Sequence, residues 1–533
     1  MNGKRILAAL LILTTGVWVA CNTVEKKKKP VVQDTTINVR TSYNNLFLDS
    51  NIVKNFLLSH GQFDSFHTQY MDFYKQRNYE FAWFDSSGIA EQTKNFYNVL
   101  GPTMVTLQDS SLYNKSLEKL YTLFTTDTIH PKTKAQMIEA ELSFTGQFFT
   151  YAAKLYKGSD MDASELGWFI PRKKVDLAAI LDSTILNKPV TVPLNSQYNK
   201  LQGYLQKYYE LRQTYPVDTL TMNVKKIQKG DSSQLIKEIQ KRMFLLGDLQ
   251  EADTTGIFDT ASLAAVKHLQ ERMGLQIDGI IGQKVIDELN VPVDTRIQQI
   301  LINLERVRWL PAEKDSVYMI VNIPEYRLHV FQDGDQTFTM RVIVGTAANG
   351  TVVFNGNLKY VVFSPYWNVP TSIVKKEIVP GIQKNANYIA EHNMEITGYS
   401  AGLPIVRQKP GGTNSLGLVK FLFPNTYDIY LHDTPNRDLF NSSNRSFSHG
   451  CIRVGNPVKL AEFLLRNDTT WTSQKIDSAM HMDKEKWVTL QQSVPVFIVY
   501  LTAWIDQDDK LNFRKDIYGH DAKMADKLFV RKP

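Results

Sequence analysis

Residues 430–454 read YLHDTPNRDLFNSSNRSFSHGCIRV. An apolar run, Ile429-Tyr430-Leu431, ends at His432. Fifteen residues of loop composition follow, and then come Ser448, His449, Gly450, Cys451, Ile452 and Arg453. These are the parts of a thiol active site. A cysteine attacks carbonyl carbon as its thiolate, and a free thiol with a pKa near ~8.5 stays mostly protonated at neutral pH unless a neighbour lowers that value. Two imidazoles, His432 and His449, are near enough in sequence to do so. Gly450 lets the backbone turn sharply beside Cys451 and aim adjacent N–H groups at one point. Arg453 adds a fixed positive charge, suited to a substrate carboxylate or to holding the loop. A lone Cys near a His is ordinarily a small hydrophobe beside a polar loop residue; the ordered set of six argues for chemistry instead. A metal site competes poorly, because the ten histidines are scattered and no HExxH spacing occurs. A papain-like peptidase would place its Cys and His far apart in a disulfide-rich chain.

The pattern of His432, fifteen residues and then Ser448-His449-Gly450-Cys451 with Arg453 resembles the L,D-transpeptidase catalytic domain of the YkuD type. PYWNVPTSI (365–373) and QKPGGTNSLGLVKFLFPN (408–425) look like the large, YcbB-like branch of that family. The segment between them, about 375–407, then corresponds to that branch's insert, a lid beside the catalytic groove, with Gly411 and Gly412 as a hinge. Where the family usually carries a Thr-Pro pair this chain has GTAANGTVVF (345–354), expected to lie away from the thiol.

The resemblance implies a two-step acyl transfer without cofactor or metal. His432 takes the proton from Cys451, its ring oriented by a backbone carbonyl near Asp433. The thiolate attacks the carbonyl between the diamino acid and the terminal D-Ala of a tetrapeptide stem. D-Ala leaves, and the amine of a second stem resolves the thioester into a 3-3 cross-link. Backbone N–H groups of His449, Gly450 and Cys451 hold the oxyanion, and His449 positions the loop. Tyr430, Trp367, Asn368, Ser448 and Arg453 are candidates for substrate contacts, and carbapenem acylation of Cys451 is expected. Alternatives are an L,D-carboxypeptidase, in which water resolves the same thioester, a wall-binding lipoprotein tether with an inactive thiol, and attachment of a protein to the wall.

A chain of 533 residues calls for about three domains. A hydrophobic content of 43% with 11% aromatics argues for globular folding. The net charge of +7 is too mild for a nucleic-acid partner, and no basic cluster beyond Lys26 to Lys29 supports one. Residues 1–20 carry Lys4 and Arg5 and then an apolar run from Ile6 to Ala20, short of the ~20 residues of a membrane span, which reads as a secretory signal. Ala20 before Cys21 resembles a bacterial lipoprotein cleavage box, with Trp18 where Leu is usual. Cys21 is therefore the expected lipidation site, anchoring a periplasmic protein of a Gram-negative bacterium to a membrane; ordinary secretion and an uncleaved anchor stay open. With Cys21 lipidated, Cys451 is left as a free thiol in an oxidising compartment, and an exported protein that keeps one uses it.

Residues 21–38 form a charged tether containing EKKKKPVV (25–32). Residues 39–230 read as mainly helical, with helices over 52–59, 63–76, 91–100 and 136–155. Their aromatics Phe73, Tyr74, Tyr79, Phe81, Trp83 and Phe84 read as core. FYKQRNYEFAWFD, ELSFTGQFFTYAAKLYKG and LGWFIPR resemble the scaffold of the YcbB-like branch. Over 231–291, Leu235, Ile239, Met243 and Leu246 share one helical face that ends at Gly247, and Leu263, Val266, Leu269 and Met273 mark a second. LLGDL and TGIFDTASLAAVKHLQERMGLQIDGIIG resemble a three-helix peptidoglycan-binding domain, which implies docking on glycan or stem peptide; a bundle that has lost binding is the alternative. Residues 292–314 hold a connecting helix over 295–309. Residues 315–505 are mostly β, with strands over 317–323, 327–331, 337–344, 358–363, 418–423, 429–432 and 496–504 and a helix over 457–466. Residues 506–533 form a tail. The expected architecture is multidomain α+β: a helical N-terminal scaffold, a three-helix peptidoglycan-binding domain and a mostly β catalytic domain with a lid-like insert.

Overall fold

The computed structural model describes residues 31–38, 44–107, 110–126, 132–159, 161–172, 174–188, 195–252, 255–311 and 316–529. Residues 1–20, the expected leader, and Cys21 and Lys26 to Lys29 lie outside them. Among the described residues no helix is long and apolar enough to cross a membrane.

The N-terminal unit is helical. Its central helix, Lys134–Ala152, opens with a capping box between Thr133 and Gln136 and buries Phe144, Phe148 and Phe149. Trp83, Phe96, Tyr70 and Phe73 pack around those rings, so the aromatics of this region are core. Buried Glu141 stitches the Phe81–Phe84 segment to this helix. Its carboxylate accepts from the N–H groups of Ala82 at 2.7 Å and Trp83 at 2.9 Å and from the Tyr74 hydroxyl at 2.9 Å. The regular helix stops at Ala152, short of the expected 155, and a wider turn runs to Lys157 and ends at Gly158.

Gln234–Leu245, Thr260–Arg272 and Gln283–Leu289 form the three-helix unit, with Ser233 and Asp259 capping the first two. Gly247, at φ +79°, takes the left-handed turn that ends the first. The next helix, Val293–Trp309, starts two residues earlier than expected because Pro292 serves as its N-cap. It is a buried strut. Its Asn303, Glu305, Arg306 and Arg308 side chains are all buried, and Glu305 accepts from the N–H of Ser159 at 2.6 Å while Asn303 accepts from that of Thr502 at 3.0 Å.

The C-terminal strands close on themselves. In order of hydrogen bonding they run Val317–Asn322, Arg327–Gln332, Asp335–Gly345, Ile452–Val454, Leu431–His432, Val419–Leu422, Asn355–Phe363 and Lys486–Val499, which pairs back with the first. Closure removes free edges, and alternate residues such as Val342, Val361, Phe421 and Ile498 fill the interior. The last strand begins ten residues before the expected 496. Its first half, KWVTLQQS, is mostly polar and exposed, and an irregularity between Thr489 and Val494 breaks the alternation that would reveal it. The insert is larger than expected: Trp367–Asn368 is the edge strand of a sheet with Leu403–Gln408 and Met394–Ser400. This unit has its own core of Val369, Val374, Ile378, Met394 and Val406. Around Gly411 and Gly412 the neck is tied, because buried Asn414 donates to the carbonyls of Pro365 at 3.1 Å and Lys409 at 2.9 Å.

Candidate active site

Two short strands lie side by side and parallel, with Leu431 opposite Ile452 and His432 opposite Arg453. Residues in register share a face and successive residues alternate between faces. Leu431, Ile452 and Val454 therefore fill the interior, fully buried. Tyr430, His432, Cys451 and Arg453 share the other side, and the rings of Tyr430 and His432 meet edge to face at 5.8 Å. The alternation Y-L-H and C-I-R-V is what makes the sequence fold this way.

Cys451 Sγ lies 3.6 Å from the carbonyl oxygen of Asp428. Burial pushes its pKa up, hydrogen bonds from Tyr430 pull it down, Asp428 raises it and the Arg453 charge lowers it. The Tyr430 hydroxyl is in turn pushed up by burial and by the thiol beside it. Buried His432 is held down to about 3, first by desolvation and then by the Arg453 charge. Its Nδ1 lies 2.5 Å from the carbonyl oxygen of Asp433, which assigns the ring proton to Nδ1 and leaves Nε2 a lone pair. Burial thus favours a neutral thiol and a neutral imidazole, set on the same side of the two strands. Asp433 fixes the strand end: its carboxylate accepts from the N–H of Leu418 at 2.9 Å and from Arg437 at 2.5 Å.

The Ser448–Cys451 loop corrects three expectations. Ser448 is buried, and its hydroxyl donates to the carbonyl of Cys451 at 2.5 Å while accepting the Gly450 N–H at 3.1 Å. It shapes the loop: its one proton is committed to Cys451 and its side chain is buried, so it offers a substrate no donor. The Gly450 N–H is consequently spent, so of the three donors expected at an oxyanion only those of His449 and Cys451 are without a partner among the described residues. Gly450 itself is needed for its backbone, at φ +120°. Third, the 345–354 segment lies against the thiol loop: the Thr346 N–H donates to Ser448 at 3.0 Å, and the Thr351 hydroxyl donates to the Gly450 carbonyl at 2.8 Å. It was expected elsewhere because sequence distance gave no hint of the Ser446–Ser448 strand pairing with the end of Asp335–Gly345.

Exposed His449 faces the insert, with Nε2 4.0 Å from Glu377 Oε1. Trp367 packs against the insert's core, and Asn368 beside it is exposed. The Asp433 carbonyl lies at the His432 ring as the sequence reading expected, whereas Asp428, the Asp433 carboxylate and Thr351 did not emerge from the sequence, since each makes a contact that only folding creates. Among the described residues no three His, Cys, Asp or Glu side chains group as metal ligands would.

Residues 316–476 match the family described as YkuD, L,D-transpeptidase catalytic domain. Residues 68–211 match a scaffold domain, and residues 232–289 match the family described as "Putative peptidoglycan binding domain". A curated relative from Haemophilus influenzae, named "Putative L,D-transpeptidase", is 35% identical over 242 residues, which are 43% of this chain and 49% of that protein. The chain thus spans about half the length of the curated relative it matches. A solved L,D-transpeptidase from Xylanimonas cellulosilytica aligns at 15% identity over 52% of this chain and 100% of its own, with a TM-score of 0.19. One from Stackebrandtia nassauensis aligns at 17% identity over 52% and 97%, with a TM-score of 0.20. At such TM-scores the two alignments carry no argument. The matched domains coincide with the β ring, the helical N-terminal unit and the three-helix unit, so this chain carries a YkuD-type L,D-transpeptidase catalytic domain joined to a scaffold domain and a peptidoglycan-binding domain.

Proposed function

We propose that this chain is a peptidoglycan L,D-transpeptidase that forms 3-3 cross-links through a Cys451 thioester. The observation that carries the reading is the shared face of Cys451 and His432, with Asp433 orienting the imidazole and two unpartnered N–H groups beside the sulfur. Nε2 of neutral His432 takes the thiol proton as sulfur bonds to the donor carbonyl. The tetrahedral oxygen meets the N–H groups of Cys451 and His449. The C–N bond to D-Ala breaks, the imidazolium returns the proton to the leaving amine, and the thioester remains. An amine from a second stem then attacks that carbonyl carbon, loses its proton to His432 and expels the thiolate. The bond is conserved by exchange, so no nucleotide is consumed. Arg453, charged and partly buried on the same face with its Nε unpartnered, suits the stem carboxylate, and Tyr430 lines the sulfur. Trp367 and Asn368, in the edge strand of the insert's sheet, are further candidates for stem contacts. Such substrates put the protein in the periplasm, held there by lipid on Cys21, with the 232–289 unit docking on glycan or stem peptide.

Purified disaccharide-tetrapeptide, incubated with wild-type protein and with Cys451→Ala and read by mass spectrometry, tests this. Dimers lacking one D-Ala support cross-linking. Tripeptide alone moves the reading to an L,D-carboxypeptidase, and turnover retained in folded Cys451→Ala removes the thiol mechanism. A carbapenem presents an acyl carbon to the same sulfur, and its mass should add only to protein that keeps Cys451.

A further inference from the structure

We propose that Thr351 is a positioning residue for acyl transfer, holding the Gly450–Cys451 peptide so that the Cys451 N–H faces the oxygen that becomes charged. The inference rests on the thiol reading above and adds a residue to it. Thr351 is buried, and its hydroxyl bonds on both sides: it donates to the Gly450 carbonyl at 2.8 Å and accepts the Gly345 N–H at 2.9 Å. The described residues contain no cis peptide bond, and in a trans peptide the C=O and N–H point in opposite directions. Fixing the Gly450 carbonyl against Thr351 therefore directs the Cys451 N–H away from the 345–354 segment, where it has no partner among the described residues.

A restraint is needed at this place. Gly450 has no Cβ and sits at φ +120°, so local sterics do little to prevent this peptide from flipping. A flip would turn a carbonyl toward the developing anion. Ser448 holds the N–H of Gly450 and the carbonyl of Cys451, but neither bond fixes the peptide between them. Thr351 supplies the missing contact. Tyr518 secures it from the C-terminal tail, donating to the Gly345 carbonyl at 2.6 Å and accepting the Thr351 N–H at 3.3 Å.

The test compares two reactions of the same sulfur in the full chain. Alkylation by iodoacetamide needs a reachable thiolate and forms no oxyanion, whereas acylation by a carbapenem does. Thr351→Val should alkylate at the wild-type rate and acylate about tenfold to ~10²-fold more slowly, the upper figure being the cost of losing one oxyanion donor. Thr351→Ser, which keeps the hydroxyl, should recover most of the loss. Wild-type acylation in Thr351→Val overturns the proposal. So does a parallel fall in both reactions, which marks a displaced thiol, or a serine variant as slow as the valine. If Thr351→Val does not fold, Tyr518→Phe carries the comparison: a lower ratio of acylation to alkylation supports the role and an unchanged ratio overturns it. A wild-type chain that alkylates yet is never acylated overturns the thiol reading and this inference with it.

Discussion

His432 is buried beside the Arg453 charge, and these two effects, in that order, hold its imidazole down to about 3. A base that stays neutral needs no deprotonation before it acts. The acylation rate should accordingly show no His432 limb between pH 7 and 5, and a limb near pH 6.5 in a stopped-flow profile would mean a solvated ring. Stability carries the opposite mark of the same shift. An unfolded histidine takes up a proton near pH 6.5, while the folded one resists until about pH 3. The stability is present above pH 6.5 and is lost as the pH falls toward 3, at a slope approaching about 1.4 kcal/mol per pH unit for one proton. Urea midpoints measured from pH 7 to 4 should fall less steeply in His432→Gln than in the wild type, and the variant should lose about 10² to 10⁴-fold in acylation rate.

At the scale of elements, the site depends on how the Leu431–His432 strand is held from its end. Asp433 bonds the N–H of Leu418, and Gly417 makes room for it: a Cβ there would come within 2.4 Å of the carboxylate, at φ +61°. Gly417→Ala therefore combines backbone strain with overlap. It should cost about 1–3 kcal/mol and lower acylation more than donor binding, because it moves His432 and not the groove. Calorimetry alongside acylation kinetics would check both parts. The motif His432…Cys451 was legible because its residues are close in sequence and alternate with apolar ones. The register that sets His432 opposite Arg453, and the contact of residues 346–351 with the thiol loop, were not, because strand pairing is a property of two segments together.

Across the whole molecule, the C-terminal residues act as a fastener. Arg514 donates to the carbonyls of Arg272 at 2.8 Å and Glu271 at 3.2 Å, at the end of the three-helix unit's second helix. Buried Arg272, paired with Asp248, reaches back to the Leu511 carbonyl at 3.3 Å. Arg514→Ala should free this seam. Hydrogen exchange should rise over 260–272 and 503–513 while the Val419–Leu422 and Leu431–His432 strands keep their protection, and melting should begin about 1 °C earlier for each ~1 kcal/mol lost, the scale for a chain of this size. Unchanged exchange at the seam would show that the apolar contacts alone hold the units together. The tail beyond 505 read as an appendage because its strand, Leu511–Phe513, is three residues long and its helix, His520–Leu528, fully buries only Met524. Some of their partners, Arg306 for Asp521 and Arg272 for Leu511, lie more than two hundred residues away.

The sequence by itself determined the candidate thiol, the nearby imidazole, the glycine that lets the loop turn and the order of helical, three-helix and β units. Each is written in local composition, spacing or periodicity, which the chain carries before it folds. Tertiary structure decided which N–H groups remain for an oxyanion, that Ser448 serves the loop, that His449 faces the insert, and that Thr351 and Tyr518 stand behind the thiol. Those outcomes depend on which donors and acceptors meet when distant segments pack. Hydrogen-bond satisfaction in a buried loop is settled over the whole fold, and no stretch of sequence contains it.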